Sequence, residues 1–232
     1  MTVILPPITQ GAIDTSYLRN LVGEAARVII EIGANNGLST LSFLEMFPNA
    51  KIYAFEPDPR AIEKFKMNVT DPKASLFEMA IGAKDGEAQF NVSSGLPENM
   101  PPEERAKYPL GWDLSGSLRP PKTHKSFWPW VKFEKKIIVQ VKQLDSWVRE
   151  NGVYPIDLIW ADTQGAEGDL IAGGAVALAT TRYFYTEYSN EECYEGQVNL
   201  EEIMDMLPHF RIVLRFKEDV LFENMAMDLN RP

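Results

Sequence analysis

Cysteine is almost missing from this chain of 232 residues: Cys193 stands alone. No disulfide can therefore close within it, and no thiolate cluster can hold a metal. Cys193 itself reads as a small half-buried side chain rather than a nucleophile. Histidine is nearly as scarce, with only His124 and His209, which excludes the usual Cys/His zinc sites and leaves oxygen-ligand metals. Positive charge is also short. A net charge of −10 argues against phosphate backbones and anionic lipid surfaces as partners and favours a small or neutral one. No apolar run approaches the ~18 residues of a membrane span, and residues 1–10 show no charged start followed by an apolar stretch. A cytoplasmic protein is expected, without nucleic-acid or membrane partners. The oligomeric state is not legible. No internal repeat is evident. What remains, 45% hydrophobic and 24% charged, is an ordinary globular composition, large enough for a substantial core and expected to form one domain over 1–232.

Short β-branched and aromatic runs alternate with amphipathic segments, the pattern of βαβ units on a mostly parallel sheet. Strands are expected at 27–32, 51–56, 74–80, 87–92, 137–141, 156–161 and 183–188, with a terminal antiparallel pair at 211–216 and 220–227. Helices are expected at 37–47, 59–69, 144–151, 167–179 and 200–207, the fourth running through Gly173 and Gly174. Leu38, Leu41, Phe43 and Leu44 supply apolar positions in the first helix, and Ile62 and Phe65 face inward in the second. Between residues 93 and 136 seven prolines break any long helix. The same stretch holds Trp112, Phe127, Trp128, Trp130 and Phe133, too many aromatics for a disordered linker. It reads as an inserted, ordered cap or substrate loop.

The first strand runs into Gly33-Ala34-Asn35-Asn36-Gly37, and the second ends at Glu56. Glycines let a ligand approach the backbone closely, and an acid at the second strand end can accept hydrogen bonds from both ribose hydroxyls of an adenosine. A glycine turn alone is as often a plain connection as a cofactor site. The dinucleotide pattern G-x-G-x-x-G is absent, since Asn35 and Leu38 occupy its second and third glycine positions. Glu31, just before the turn, would repel a pyrophosphate and suits the cationic amino-acid end of S-adenosylmethionine.

Four blocks make the chain similar to a known family. They are Glu31-Ile32-Gly33-Ala34-Asn35-Asn36-Gly37 with Ser39; Ala54-Phe55-Glu56-Pro57; Leu144-Asp145; and Ile156-Asp157 through Asp162-Thr163-Gln164-Gly165-Ala166-Glu167. Gly173-Gly174-Ala175 and Glu187 follow, and Ser115-Gly116-Ser117-Leu118 is a looser match. In these the sequence resembles the FkbM methyltransferases over about 28–187. The resemblance implies an α/β fold: a Rossmann-like class I methyltransferase domain with a seven-stranded, mostly parallel sheet and a C-terminal antiparallel hairpin. It implies S-adenosylmethionine as cofactor, S-adenosylhomocysteine as product, and O-methylation of a hydroxyl on a sugar, glycoconjugate or secondary metabolite. Glu31, Gly33, Ala34, Asn35, Gly37, Ser39, Glu56, Pro57, Ala80 and Asp162 become candidate cofactor residues. Where the family commonly has lysine two residues before the motif's Asp, this chain has Trp160.

Methyl transfer from a sulfonium is an in-line displacement. It needs an acceptor oxygen held on the methyl axis and a base for its proton. Asp162 and Glu187, at the ends of two strands, are the candidates for that work, with Glu167 completing the catalytic set. Glu167 reads equally well as a helix cap. Gln164, Ser117, His124 and Trp128 are candidate acceptor contacts, His124 being the one neutral base of the loop and expected at its surface. The carboxylates could also hold a hard divalent cation, which is not favoured, and no metal site is assigned. Arg119, Lys122, Lys125, Lys132, Lys135 and Lys136 could meet an anionic or glycosylated acceptor, or simply form a solvated rim. Two alternatives stay open: a non-catalytic binding module of the same fold, and a nicotinamide-dependent oxidoreductase.

Overall fold

The computed structural model describes residues 5–227. Residues 1–4 and 228–232, the two ends of the expected 1–232 domain, lie outside the described residues. The chain runs α1 (Thr15–Val22), β1 (Val28–Ile32), α2 (Leu38–Met46), β2 (Lys51–Phe55), α3 (Pro59–Asn68), β3 (Ala74–Phe77), β4 (Ala80–Ile81) and β5 (Gly86–Ser94). It continues through α4 (Pro102–Arg105), α5 (His124–Phe127), β6 (Lys132–Lys142), α6 (Leu144–Asn151), β7 (Ile156–Ala161), α7 (Glu167–Gly173), α8 (Ala175–Ala179) and β8 (Thr181–Glu187). The last elements are α9 (Leu200–Met206), β9 (Phe210–Arg215) and β10 (Asp219–Asn224).

The main sheet is seven-stranded in the order β3-β2-β1-β7-β8-β10-β9. Its first five strands are parallel, and β10 is antiparallel to both neighbours. Alternate side chains of the central strands feed two cores. Ile30, Ile32, Phe55, Ile159 and Phe184 pack with Trp147, Leu170 and Ile203 of α6, α7 and α9. On the other face Ile29, Ile52, Leu158 and Tyr183 pack with Leu18 of α1 and Phe43 of α2. At ~25 cal/mol per Å² of buried apolar surface, such a two-faced core is the main force holding helices to the sheet.

Several expected elements are redrawn. The strand expected over 74–80 splits: β3 joins the main sheet, while β4 pairs with β6 in a separate three-stranded sheet, order β4-β6-β5. Residues 93–94 and 132–136 extend β5 and β6, so the irregular insert shrinks to 95–131 and rides on that small sheet. The helix expected over 167–179 breaks at Gly174 into α7 and α8. Beside the break residue 173 must be glycine, because a Cβ there would sit 2.1 Å from the carbonyl oxygen of Gly82. Asp145 then caps the second piece, accepting from the backbone N–H groups of Val176 (3.0 Å) and Ala177 (2.7 Å). In α2, Leu38 and Leu41 are exposed, whereas Phe43 and Leu44 are buried; in α3, Ile62 and Phe65 are buried. Helix α1 had no expectation in the sequence. Asp14 caps it, accepting from the N–H of Tyr17. Among the described residues no helix is long and apolar enough to cross a membrane.

Candidate active site

Register builds the site. Ile32 lies beside both Phe55 and Ala161, and Ala161 beside Thr186. The next residue on each of these four strands therefore stands on one carboxyl rim: Gly33, Glu56, Asp162 and Glu187. The strand order turns back between β1 and β7, the switch point at which open α/β sheets leave a crevice. Gly33 is required there. Its φ is +84°, and a Cβ would lie 1.9 Å from the carbonyl oxygen of Asp162.

A cavity with about 610 Å³ of free space, partly open to solvent, lies over this crevice. Gly33, Asn35, Glu56, Pro57, Ala80 and Asp162 line it, as do the apolar Ile32, Phe55, Met79, Ile81, Phe90 and Leu118. Glu56 accepts the N–H groups of Asn35 and Asp58, each at 2.8 Å, and so props the turn on which Asn35 holds φ +44°. Glu31 is fully buried behind the turn, accepting the hydroxyl of Thr40. Burial pushes both Glu31 and Glu56 up to about 8, against the pull of those hydrogen bonds, and repulsion from Asp162 adds to it. The remaining expected cofactor residues are placed differently. Ala34 and Gly37 are buried in the turn, where a Cβ on Gly37 would meet Val69 and Phe65, and Ser39 is exposed on α2 outside the cavity.

A second cavity, about 1280 Å³ of free space, adjoins the first. Trp112, His124, Phe127, Trp128, Trp130 and Tyr194 form its aromatic wall, and Gln164, Glu187, Glu191, Lys217 and Glu218 its polar side. Segment 112–118 separates the two cavities: Asp113, Gly116 and Leu118 face the first, Trp112 and Ser115 the second, and Leu114 both. Asp113, which the sequence gave no means of singling out, is buried and paired with Lys64 at 2.5 Å. Its backbone carbonyl accepts the side-chain amide of Asn35 at 3.0 Å. Ser117 is buried, with its hydroxyl on the carbonyl of Gln164 at 2.7 Å. His124 is not the surface histidine expected. It is 3% exposed, packed against Trp128, Phe133 and Tyr194, and burial with the nearby charge of Lys125 lowers its pKa to about 4, keeping it neutral.

Where the cavities meet, the Gln164 amide nitrogen donates to Asp162 (2.7 Å) and to Glu187 (3.0 Å). Asp162 and Glu187 are themselves hydrogen-bonded. Burial raises Asp162, while burial and then the charge of Asp162 hold Glu187 well above the usual carboxylate range. Ionising one of two such buried carboxyls disfavours ionising the other. Glu167 is fully buried at the start of α7, accepting Thr163 (2.9 Å) and the N–H of Gly165 (3.1 Å), and lines neither cavity. Trp160 lies under the rim, half-buried against the core and stacked on Tyr185 with centroids 3.6 Å apart. Of the basic stretch, Arg119 is held by Asp169 and Lys122 by Glu192; neither these nor Lys125, Lys132, Lys135 and Lys136 line a cavity. Among the described residues, no three His, Cys, Asp or Glu side chains converge as a metal set.

The doubly wound sheet, the glycine-edged crevice and the acidic strand ends define a class I, Rossmann-like methyltransferase. More narrowly, the chain belongs to the FkbM methyltransferases: residues 31–214 match the Methyltransferase FkbM domain. It is 45% identical over 205 residues to the 2-O-methyltransferase NoeI of Sinorhizobium fredii, covering 86% of this chain and 80% of that one. Methyltransferase sdnD of Sordaria araneosa is 28% identical over 160 residues, 62% of this chain and 59% of its own length. Among solved structures, the cofactor-bound Rv0187 from MTB is similar with a TM-score of 0.50 at 12% identity, over 95% of this chain and 84% of that one.

Proposed function

We propose that the protein is an S-adenosylmethionine-dependent O-methyltransferase whose acceptor is an uncharged, hydroxyl-bearing small molecule such as a neutral glycoside. The observation that carries this is the meeting of an acidic, glycine-edged cavity and an aromatic one at the Asp162–Gln164–Glu187 cluster.

The first cavity suits the cofactor by its chemistry. Apolar walls at Phe55, Met79 and Ile81 match an adenine, and Glu56 keeps lone pairs for ribose hydroxyls. The cofactor supplies an electrophilic methyl on a sulfonium, whose transfer leaves neutral S-adenosylhomocysteine. The protein's share is positioning, within a ceiling of about 7–11 kcal/mol, and proton removal. An ionised carboxylate of the Asp162–Glu187 pair, made more basic by burial, takes the acceptor's hydroxyl proton as the new carbon–oxygen bond forms and the sulfur–methyl bond breaks. Aromatic faces in the second cavity offer apolar contact to a sugar ring. Glu187, Glu191 and Glu218 there, with Lys217 paired to Glu218 at 2.9 Å, disfavour phosphate or carboxylate groups. The name of the 45%-identical relative, a 2-O-methyltransferase, supports a hydroxyl acceptor.

Calorimetry with S-adenosylhomocysteine tests the cofactor site: binding in the wild type and loss in Glu56→Ala are expected. Transfer of labelled methyl is then compared between neutral methyl glycosides and the same sugars as uronates or nucleotide diphosphates. Transfer to the neutral set alone is expected. Failure of the folded wild type to bind S-adenosylhomocysteine would overturn the reading, and preference for the anionic set would overturn the acceptor class.

A further inference from the structure

Gln164 is held in an uncommon way. Its φ of +51° lies in the left-handed region that residues other than glycine rarely adopt, so its neighbours must fix it there. Its carbonyl accepts from Ser117, its amide nitrogen donates to Asp162 and Glu187, and its amide oxygen meets the hydroxyl of Tyr194 at 3.1 Å. Tyr194 arrives from the segment after β8 and is 2% exposed. It fits against residue 165 only because that residue is glycine: a Cβ there would stand 2.7 Å from the Tyr194 ring, and φ is +92°. The same hydroxyl lies 3.0 Å from the carbonyl of Ser115. Both neighbours of the phenol oxygen are acceptors, and the one phenol proton is shared between them.

We propose that Tyr194 is a positioning residue that sets the orientation of the Gln164 amide, turning its NH₂ onto the Asp162–Glu187 pair. A flipped amide would face its carbonyl oxygen toward two carboxyls and leave the phenol proton to the Ser115 carbonyl alone, whereas the observed orientation sets the NH₂ on the carboxyls and the amide oxygen within reach of that proton. The Tyr194 hydroxyl supports the observed orientation by donating to the amide oxygen, and Gly165 admits the ring that carries it. Because Tyr194 also walls the acceptor cavity beside His124, the same side chain joins the acceptor's surroundings to the proton-accepting pair. The catalytic meaning of this clamp rests on the proposed function; its geometry can be tested without an acceptor.

The experiment is ¹³C NMR titration of side-chain carboxyls, with Asp162→Asn and Glu187→Gln supplying assignments. The groups facing the pair are Glu31 on β1, Glu56 after β2, Glu167 on α7, Tyr185 on β8 and Asp219 on β10, all of which raise or are raised by it. Losing an N–H donor disfavours the ionised form, so Tyr194→Phe should move the titration of Asp162 upward by about one pH unit. Phenylalanine preserves the ring against Gly165, so a purely packing role would leave the titration where it was and overturn the proposal. In a Gln164→Met background, Tyr194→Phe should add nothing; an equal shift there would mean that the phenol acts on the carboxyls directly, and would also overturn it. Should Tyr194→Phe fail to fold, the wild-type Gln164 side-chain amide gives a second reading. Two downfield, slowly exchanging protons are expected, and fast exchange would refute the clamp. Wild-type S-adenosylhomocysteine binding and methyl transfer, measured separately, judge the proposed function.

Discussion

Gly33→Ala puts the switch-point crevice under direct test. Two costs arise. An L-residue at positive φ costs about 1–2 kcal/mol, and the new Cβ would stand 1.9 Å from the Asp162 carbonyl oxygen. Ordinary contact begins near 3.4 Å, so the turn after β1 and the end of β7 must separate by about 1.5 Å, the difference of the two. That obstacle is backbone, tied to β1 by the 2.9 Å bond from the Asp162 N–H to the Ile32 carbonyl, and cannot swing aside. Together the costs reach about 3–5 kcal/mol, the range of strained or overpacked sites. For a chain of this size each kcal/mol moves Tm by about 2–4 °C, so a fall of about 10 °C is expected by calorimetry. S-adenosylhomocysteine should bind at least about tenfold more weakly, the equivalent of 1.4 kcal/mol. Gly152→Ala is the control: its φ is +63° and nothing lies within 4 Å of its Cβ, so it carries the conformational cost alone. Equal Tm losses in the two variants, with ligand affinity unchanged in Gly33→Ala, would refute the crevice reasoning.

Three other outcomes follow from the same geometry. Glu31 and Glu56, raised from 4.5 to about 8 by burial, bind more protons folded than unfolded between those values. The ligand-free protein should therefore lose stability as pH rises from about 5 to 8, by up to ~1.4 kcal/mol per pH unit per carboxyl. Scanning fluorimetry should show Tm falling over this window and a shallower fall in Glu31→Gln; a flat wild-type profile would count against the buried pair. Trp160→Lys, which restores the family's common residue, should lower stability by about 1–3 kcal/mol in urea denaturation because it removes a half-buried indole stacked on Tyr185; an unchanged midpoint would refute the packing role. Asp145→Ala should cost about 1 kcal/mol by releasing the cap of α8 while leaving S-adenosylhomocysteine affinity intact, and weakened binding would instead tie Asp145 to the site.

Periodicity made the doubly wound core legible, because strands buried on both faces and amphipathic helices leave strong local signals. Acids at strand ends were legible for the same reason: once 51–56 reads as a strand, Glu56 falls on its rim. Long-range pairing was not. Nothing local tells residues 74–80 to divide between two sheets, since that depends on β6 arriving from more than fifty residues away. The need for glycine at 173 is set by the backbone of Gly82, and the burial of His124 by aromatic neighbours brought together in space. Asp113 and Tyr194 carried no motif of their own. A signal for Tyr194 did exist in Gly165, a glycine whose missing side chain needed an occupant. Asp145 and Asp157, prominent in the family blocks, hold backbone rather than ligand: Asp157 accepts the N–H groups of Arg27 and Val28.

The wall formed by residues 112–118 has a consequence for how acceptor choice can drift. With Leu114 facing both cavities and its neighbours facing one or the other, a substitution there is felt on both sides, so a change that welcomes a new acceptor also disturbs the chamber beside it. Across the larger cavity, Phe127, Trp128 and Trp130 border that space alone. Novelty in acceptor choice has its freest route through that far side, where the chain can experiment without disturbing the smaller cavity.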